Sequence, residues 1–112
     1  AHARRYFVKA EDQEPALAKE ALDRIRELYA IERAAKERGL DAQAVRELRQ
    51  AESSPRLERL RDWMSVARTK VLDKGALAKA IDYALSNWTA LVRYCEDGRL
   101  DIDNNAAERA LR

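Results

Sequence analysis

The final twelve residues carry the densest set of side chains that could do chemistry. Three carboxylates, two amides and two arginines fall within this stretch: Asp101, Asp103, Asn104, Asn105, Glu108, Arg109 and Arg112. Carboxylate oxygens are the protein ligands that Mg²⁺ prefers, and one or two per ion suffice because the ion keeps several waters. The segment therefore allows a divalent-metal site in which Glu108 is a ligand.

An ordinary structural role accounts for the same spacing. Asn105 followed three residues later by Glu108 fits a capping box, in which each side chain accepts a hydrogen bond from the other residue's backbone N–H. Asn104 suits the turn before such a cap. Arg109 and Arg112 suit ion pairs on a helix surface as well as contacts with DNA phosphate. The residues alone leave both interpretations open.

Few other residues suit catalysis. The chain has one cysteine and one histidine, which by themselves form neither an internal disulfide nor a zinc site. Cys95 continues an apolar helical stripe and is expected to be a buried small hydrophobe. His2 is expected to be structural, whereas Arg4 and Arg5 could contact phosphate. A reducing, intracellular setting fits this cysteine usage.

The elements that must position these residues are helices. Of the 112 residues 21 are Ala, and only 11 are Val, Ile or Thr. Ala, Leu, Arg and Glu favour helices, whereas strands favour β-branched and aromatic residues. We therefore predict an all-α fold, a helical bundle of about five to six helices around one modest core. No apolar run approaches the roughly 18 residues of a membrane span, so we expect no membrane partner.

Helical periodicity and turn residues divide the chain into segments. The clearest predicted break is Ser53-Ser54-Pro55, with Ser54 as a helix cap and Pro55 at the first helical position. A short extended segment is predicted over residues 99–104, before a final helix that Asn105 caps. The other predicted helices cover residues 2–13, 15–38, 42–52, 55 to about 71, and 76–96.

Positive charge is concentrated in the middle of the chain. Residues 33–74 hold 11 basic and 7 acidic side chains, whereas the net charge of the whole chain is only +2. One interpretation is contact with DNA phosphates. Four arginines would carry it: Arg46, Arg49, Arg56 and Arg59. The other interpretation is a solvated face with ion pairs at helical spacing, such as Glu52–Arg56.

Three motifs resemble bacterial transposases of the insertion-sequence-66 family. The first is Ala-His-Ala-Arg-Arg-Tyr-Phe at residues 1–7, and the second is Ala-Ile-Asp-Tyr-Ala-Leu-Ser-Asn-Trp-Thr-Ala-Leu at residues 80–91. The third is Asp-Gly-Arg-x-x-Ile-Asp-Asn-Asn-Ala-Ala-Glu-Arg-Ala-Leu-Arg at residues 97–112. The likeness is tight at both ends and loose over residues 10–54.

The resemblance implies an RNase H-like core with an Asp, Asp, Glu triad that cleaves and transfers DNA strands with Mg²⁺ or Mn²⁺. Its third acid falls on Glu108, within a motif that also covers Asn104, Asn105 and Arg109. Both aspartates of the triad would lie upstream of this chain. The implied partners are transposon-end DNA and further copies of the transposase, in the cytoplasm of a bacterium and at its nucleoid when acting.

The resemblance also divides the chain. Residues 1–13 would end one segment of the catalytic core, residues 14–97 would be a helical insertion, and residues 98–112 would return to the core with the Glu motif. We accordingly expect the chain to be part of a longer protein and to be inactive alone. The alternative is a helical DNA-binding or dimerisation module without a catalytic role.

Overall fold

A computed structural model describes residues 2–103, and every regular element in this range is helical. Two short 3₁₀ helices (Ala10–Asp12 and Arg93–Cys95) and one π-helical turn (Arg49–Ser53) extend the α-helices. The prediction of an all-α bundle is confirmed over this range. The α-helices are α1 (His2–Lys9), α2 (Pro15–Glu37), α3 (Ala42–Leu48), α4 (Ser54–Arg68), α5 (Ala76–Ser86) and α6 (Trp88–Val92).

The core lies where α1, α2, α4 and α5 meet. α1 packs mainly on α5 and α2, and α2 packs on α4. The fully buried side chains come from all four helices and include many alanines, which let helix axes approach closely. Phe7 places α1 in the same core as the later helices. Within these four helices, the residues that are at most 1% exposed are Phe7, Ala18, Ala21, Met64, Leu77, Ala78, Ala80 and Ile81.

Three local features of the sequence set helix ends. Pro15 occupies the first turn of α2, where its missing N–H leaves no hydrogen bond unmade. Gly39 follows α2 with a φ of +63°, a left-handed conformation that glycine adopts without steric cost. The Asp41 carboxylate accepts a hydrogen bond of 2.9 Å from the backbone N–H of Ala44 and so caps α3.

The predicted break at Ser53-Ser54-Pro55 is wrong. The chain passes from α3 through the π turn into α4, and neither Ser53 nor Ser54 caps a helix there. A π turn holds more residues than an α turn, which gives the Pro55 ring room against the preceding carbonyls. The extra residue also rotates the inward face. Ala51 is exposed, whereas Arg49 is buried.

The continuous helix predicted over residues 76–96 is interrupted. α5 ends at Ser86, and Asn87 takes a non-helical φ of −108°. Its side-chain amide donates a 2.8 Å hydrogen bond to the Tyr83 carbonyl. Such a bond from an Asn side chain to the backbone competes with the regular hydrogen bonds of a helix. Trp88, the first residue of α6, is half-buried. Cys95 is buried as predicted.

Candidate functional site

The acid predicted to be catalytic lies outside the described residues. This acid is Glu108, and the same is true of four other predicted site residues: Asn104, Asn105, Arg109 and Arg112. The described part of the third motif is residues 97–103, which we call the return segment because it leads from the bundle towards Glu108. Its attachment to the helices is therefore the part of the predicted site that the structure describes.

The return segment consists of turns, so the extended structure predicted for it is wrong over its described part. The Asp97 carbonyl accepts a 3.0 Å hydrogen bond from the Leu100 N–H, which closes the first turn. The apolar and polar residues nevertheless alternate in burial. Leu100 and Ile102 pack against the core, whereas Asp101 and Asp103 are exposed.

Two arginines from α3 and the π turn hold the beginning of the return segment. Arg49 Nη1 donates hydrogen bonds of 2.7 Å to the Tyr94 carbonyl and 3.2 Å to the Asp97 carbonyl. Arg46 Nε donates a 2.9 Å hydrogen bond to the Glu96 carbonyl. The last carbonyls of a helix have no partner within it, so these two side chains satisfy the Tyr94 and Glu96 carbonyls, which would otherwise need water.

Arg49 is itself fixed by α2. Its Nε and Nη2 donate to the two carboxylate oxygens of Glu32 at 3.0 and 2.6 Å. The guanidinium lies 4.9 Å from the centre of the Tyr94 ring, and the residue is only 4% exposed. Burial of a charge is costly unless it is paired and hydrogen-bonded, and this forked arrangement meets both conditions.

Gly98 brings the return segment into direct backbone contact with α3. A Cβ at this position would lie 1.8 Å from the Ala42 carbonyl oxygen and 2.7 Å from its carbon. No side chain fits at such a distance, so the glycine is required by the close approach. The Gly of the Asp-Gly-Arg motif therefore has a packing reason in this chain.

Local electrostatics stabilise the same turn. The Asp97 carboxylate accepts hydrogen bonds from the Arg99 side chain at 2.8 and 3.1 Å and from the Arg99 backbone N–H at 2.9 Å. The Arg99 side chain, followed by the backbone bond, lowers the pKa of Asp97 to about 2. At the far end of the segment, the Tyr29 hydroxyl donates a hydrogen bond to the Asp103 carboxylate.

Three of the four middle arginines make contacts with other groups of the protein. Arg46 and Arg49 bond to backbone carbonyls as described above. Arg56 pairs with Glu52 at 2.9 Å, as the helical spacing predicted, and lies 3.9 Å from Glu27. Arg59 is exposed. Arg49 is buried and its donors bond to Glu32, Tyr94 and Asp97, so it does not face a DNA partner.

A second group of basic side chains lines an open groove of about 790 Å³ between α1 and α2. Arg4 and Arg5 belong to it, as the first motif suggested, and both are exposed. Sequence reasoning missed Lys19, Arg26 and Arg33, although their seven-residue spacing places them on one face of a helix. The remaining lining residues are Glu11, Leu22, Asp23, Tyr29 and Asp103.

His2 lies at the side of α1, apart from the groove. It is half-buried and lines a shallow depression with Arg5, Tyr6 and Lys9. Among residues 2–103, no three His, Cys, Asp or Glu side chains come together in a way that could hold a metal ion.

The fold and the groove define an all-helical unit with a basic surface beside the segment that leads to Glu108. Residues 1–112 match the model of the Transposase IS66 family, and the chain belongs to this family. No helix within residues 2–103 is long and apolar enough to cross a membrane.

Relatives occur in Sinorhizobium fredii. Proteins y4hP and y4jD of this organism are 35% and 36% identical to the chain and cover all of it. Protein y4qI is 44% identical over 67% of the chain. The chain spans 22% of the length of the first two proteins and 14% of the third. No solved structure matches the chain.

Proposed function

We propose that the chain is the helical insertion and third-acid segment of a DNA transposase that cleaves and transfers DNA strands. Residues 14–97 would form the insertion, and residues 1–13 and 98–112 would join it to an RNase H-like core. Family membership over the full chain supports this proposal. The third acid of the triad is assigned to Glu108, because Glu108 is the glutamate of the Asn-Asn-x-x-Glu-Arg motif.

The single observation that carries a role for the helices is the attachment of the return segment. Arg49, buried and paired with Glu32, holds its first carbonyl, and Tyr29 holds Asp103 five residues before Glu108. A catalytic carboxylate works only when its position is fixed to within a fraction of an ångström. In this proposal the bundle supplies that fixed base, while Glu108 supplies the carboxylate.

Divalent ions, when bound, would activate the attacking oxygen and stabilise the leaving one. Glu108 would be their ligand from this chain, together with the two aspartates expected upstream. Arg4, Arg5 and Arg59 are the predicted DNA-contacting arginines that are exposed on the described surface and take part in none of the described ion pairs. The full-length transposase would act on transposon-end DNA as an assembly of several copies.

The test is strand cleavage of transposon-end DNA by the full-length protein with Mg²⁺. Glu108→Gln should reduce cleavage to background, because the amide keeps the shape and removes the charge. Glu96→Gln is the matched control, since Glu96 is exposed one residue before the return segment. Wild-type cleavage by Glu108→Gln would refute the role of Glu108, and metal-dependent cleavage by the 112-residue chain alone would refute the need for upstream acids.

A further inference from the structure

The basic face of α2 is built by a regular spacing. Lys19, Arg26 and Arg33 follow one another at seven-residue intervals, which is close to two helical turns, so they project in nearly the same direction. Lys19 and Arg33 are separated by about 21 Å along the helix axis, at 1.5 Å per residue. All three side chains are exposed and line the groove against α1.

α1 supplies the opposite side of the groove through Arg4 and Arg5. The lining holds five basic and three acidic side chains and is therefore net positive. Asp23 is shared by Lys19 at 2.6 Å and Arg26 at 3.7 Å. Within residues 2–103, no carboxylate lies at ion-pair distance from Arg4, Arg5 or Arg33.

We infer that this groove binds the sugar-phosphate backbone of duplex DNA, with Arg26 and Arg33 as phosphate contacts that sequence analysis did not identify. A single phosphate would occupy only one of these positions. Cations spread over about 21 Å can instead meet several phosphates of an extended polyanion such as a DNA backbone. Arginine also presents the forked donors that suit phosphate oxygens.

The position of the groove connects it to the proposed chemistry. Asp103 lies in its lining, and Glu108 follows five residues later. A DNA backbone in the groove would therefore run beside Asp103, at the end of the return segment. This link rests on the proposed function, whereas the phosphate contacts themselves do not depend on cleavage.

The test is DNA binding by the full-length protein in EDTA, which removes catalysis from the measurement. A fluorescent transposon-end duplex is titrated at several salt concentrations for the wild type and for Arg26→Gln/Arg33→Gln. Each lost phosphate contact lowers the slope of log K against log salt by about 0.9, so the double variant should lose about 1.8. Both residues are exposed, and circular dichroism should confirm an unchanged fold.

Arg61→Gln/Arg93→Gln is the matched control. It removes the same two charges from exposed positions that do not line the groove. The slope of log K against log salt for this control should stay within about 0.1 of the wild-type slope. The inference is overturned if Arg26→Gln/Arg33→Gln keeps that slope, if the control loses as much, or if the wild type binds no duplex. Failure of the proposed function appears separately, as unchanged cleavage by Glu108→Gln.

Discussion

Arg49 and Glu32 form a forked pair with hydrogen bonds of 3.0 and 2.6 Å, and this pair joins the π turn to α2. The same guanidinium donates to the carbonyls of Tyr94 and Asp97. One buried side chain therefore connects α2, the π turn and the start of the return segment.

Replacement of Arg49 should be strongly destabilising. Arg49→Ala leaves Glu32 without its partner in a mostly buried place, a change that costs about 3–5 kcal/mol in comparable pairs. Arg49→Lys should cost less, because it keeps the charge and loses the fork. The measurement is the urea unfolding midpoint. Arg59→Ala, at an exposed position, should stay within about 0.5 kcal/mol of the wild type. Equal losses in Arg49→Ala and Arg59→Ala would contradict the role of the pair.

Gly98→Ala should disturb the junction between the return segment and α3. Its methyl group would lie 1.8 Å from the Ala42 carbonyl oxygen, so the backbone must move. Overpacking of this kind costs about 1–3 kcal/mol, and a clash with backbone atoms favours the upper end. Gly75→Ala is the control, because its nearest contact would be an ordinary 3.4 Å. Thermal unfolding of the two variants compares them, and the prediction fails if their midpoints coincide.

Alkaline pH should destabilise the fold through Tyr94 and Cys95. Burial, with a smaller effect of the neighbouring Cys95, raises the pKa of Tyr94 far above its ordinary value, and burial also raises the pKa of the Cys95 thiol. The neutral forms are thus favoured in the native state. Their stabilising effect is complete below the unfolded pKa values of about 8.5 for Cys and about 10 for Tyr, and it is lost as pH rises beyond them.

The variant Tyr94→Phe checks this pH dependence. It keeps the ring beneath Arg49 and removes the titrating hydroxyl. Between about pH 7 and about pH 10.5, a range that spans the ordinary tyrosine and cysteine pKa values, its urea midpoint should fall less than that of the wild type. Tyr6→Phe, at an exposed tyrosine, should follow the wild type. Parallel curves for all three proteins would show that burial of Tyr94 is not responsible.

Tyr29→Phe should separate positioning from DNA binding. The substitution removes the hydroxyl that donates to Asp103 and leaves the ring in place. Loss of a direct hydrogen-bond partner of a metal ligand costs about 10–100-fold in activity, and Tyr29 acts one step further out through Asp103. Strand cleavage by the full-length protein should therefore slow by up to about tenfold. Metal-free DNA binding should stay at the wild-type level. A loss of binding that matches the loss of cleavage would instead assign Tyr29 to DNA contact.

Local signals determined the helical elements because they act within a few residues of the chain. The alanine content, Pro15, Gly39 and the Asp41 cap each set a helix or its end through backbone preference and neighbouring hydrogen bonds. Pro55 had the same kind of signal, yet the chain remained helical there. A π turn, whose buried Arg49 bonds to distant partners, outweighed the local preference.

The charged residues show what only the tertiary structure decided. The sequence by itself determined the helical architecture of residues 2–103, the family motifs and an excess of arginine in the middle of the chain. It did not determine which arginines face solvent, because Arg49 and Glu32 are 17 residues apart and Arg49 and Tyr94 are 45 apart. Packing turned these groups inward and placed Arg26 and Arg33 opposite α1. Burial and partner choice depend on contacts between distant segments, and these exist only once the helices have packed.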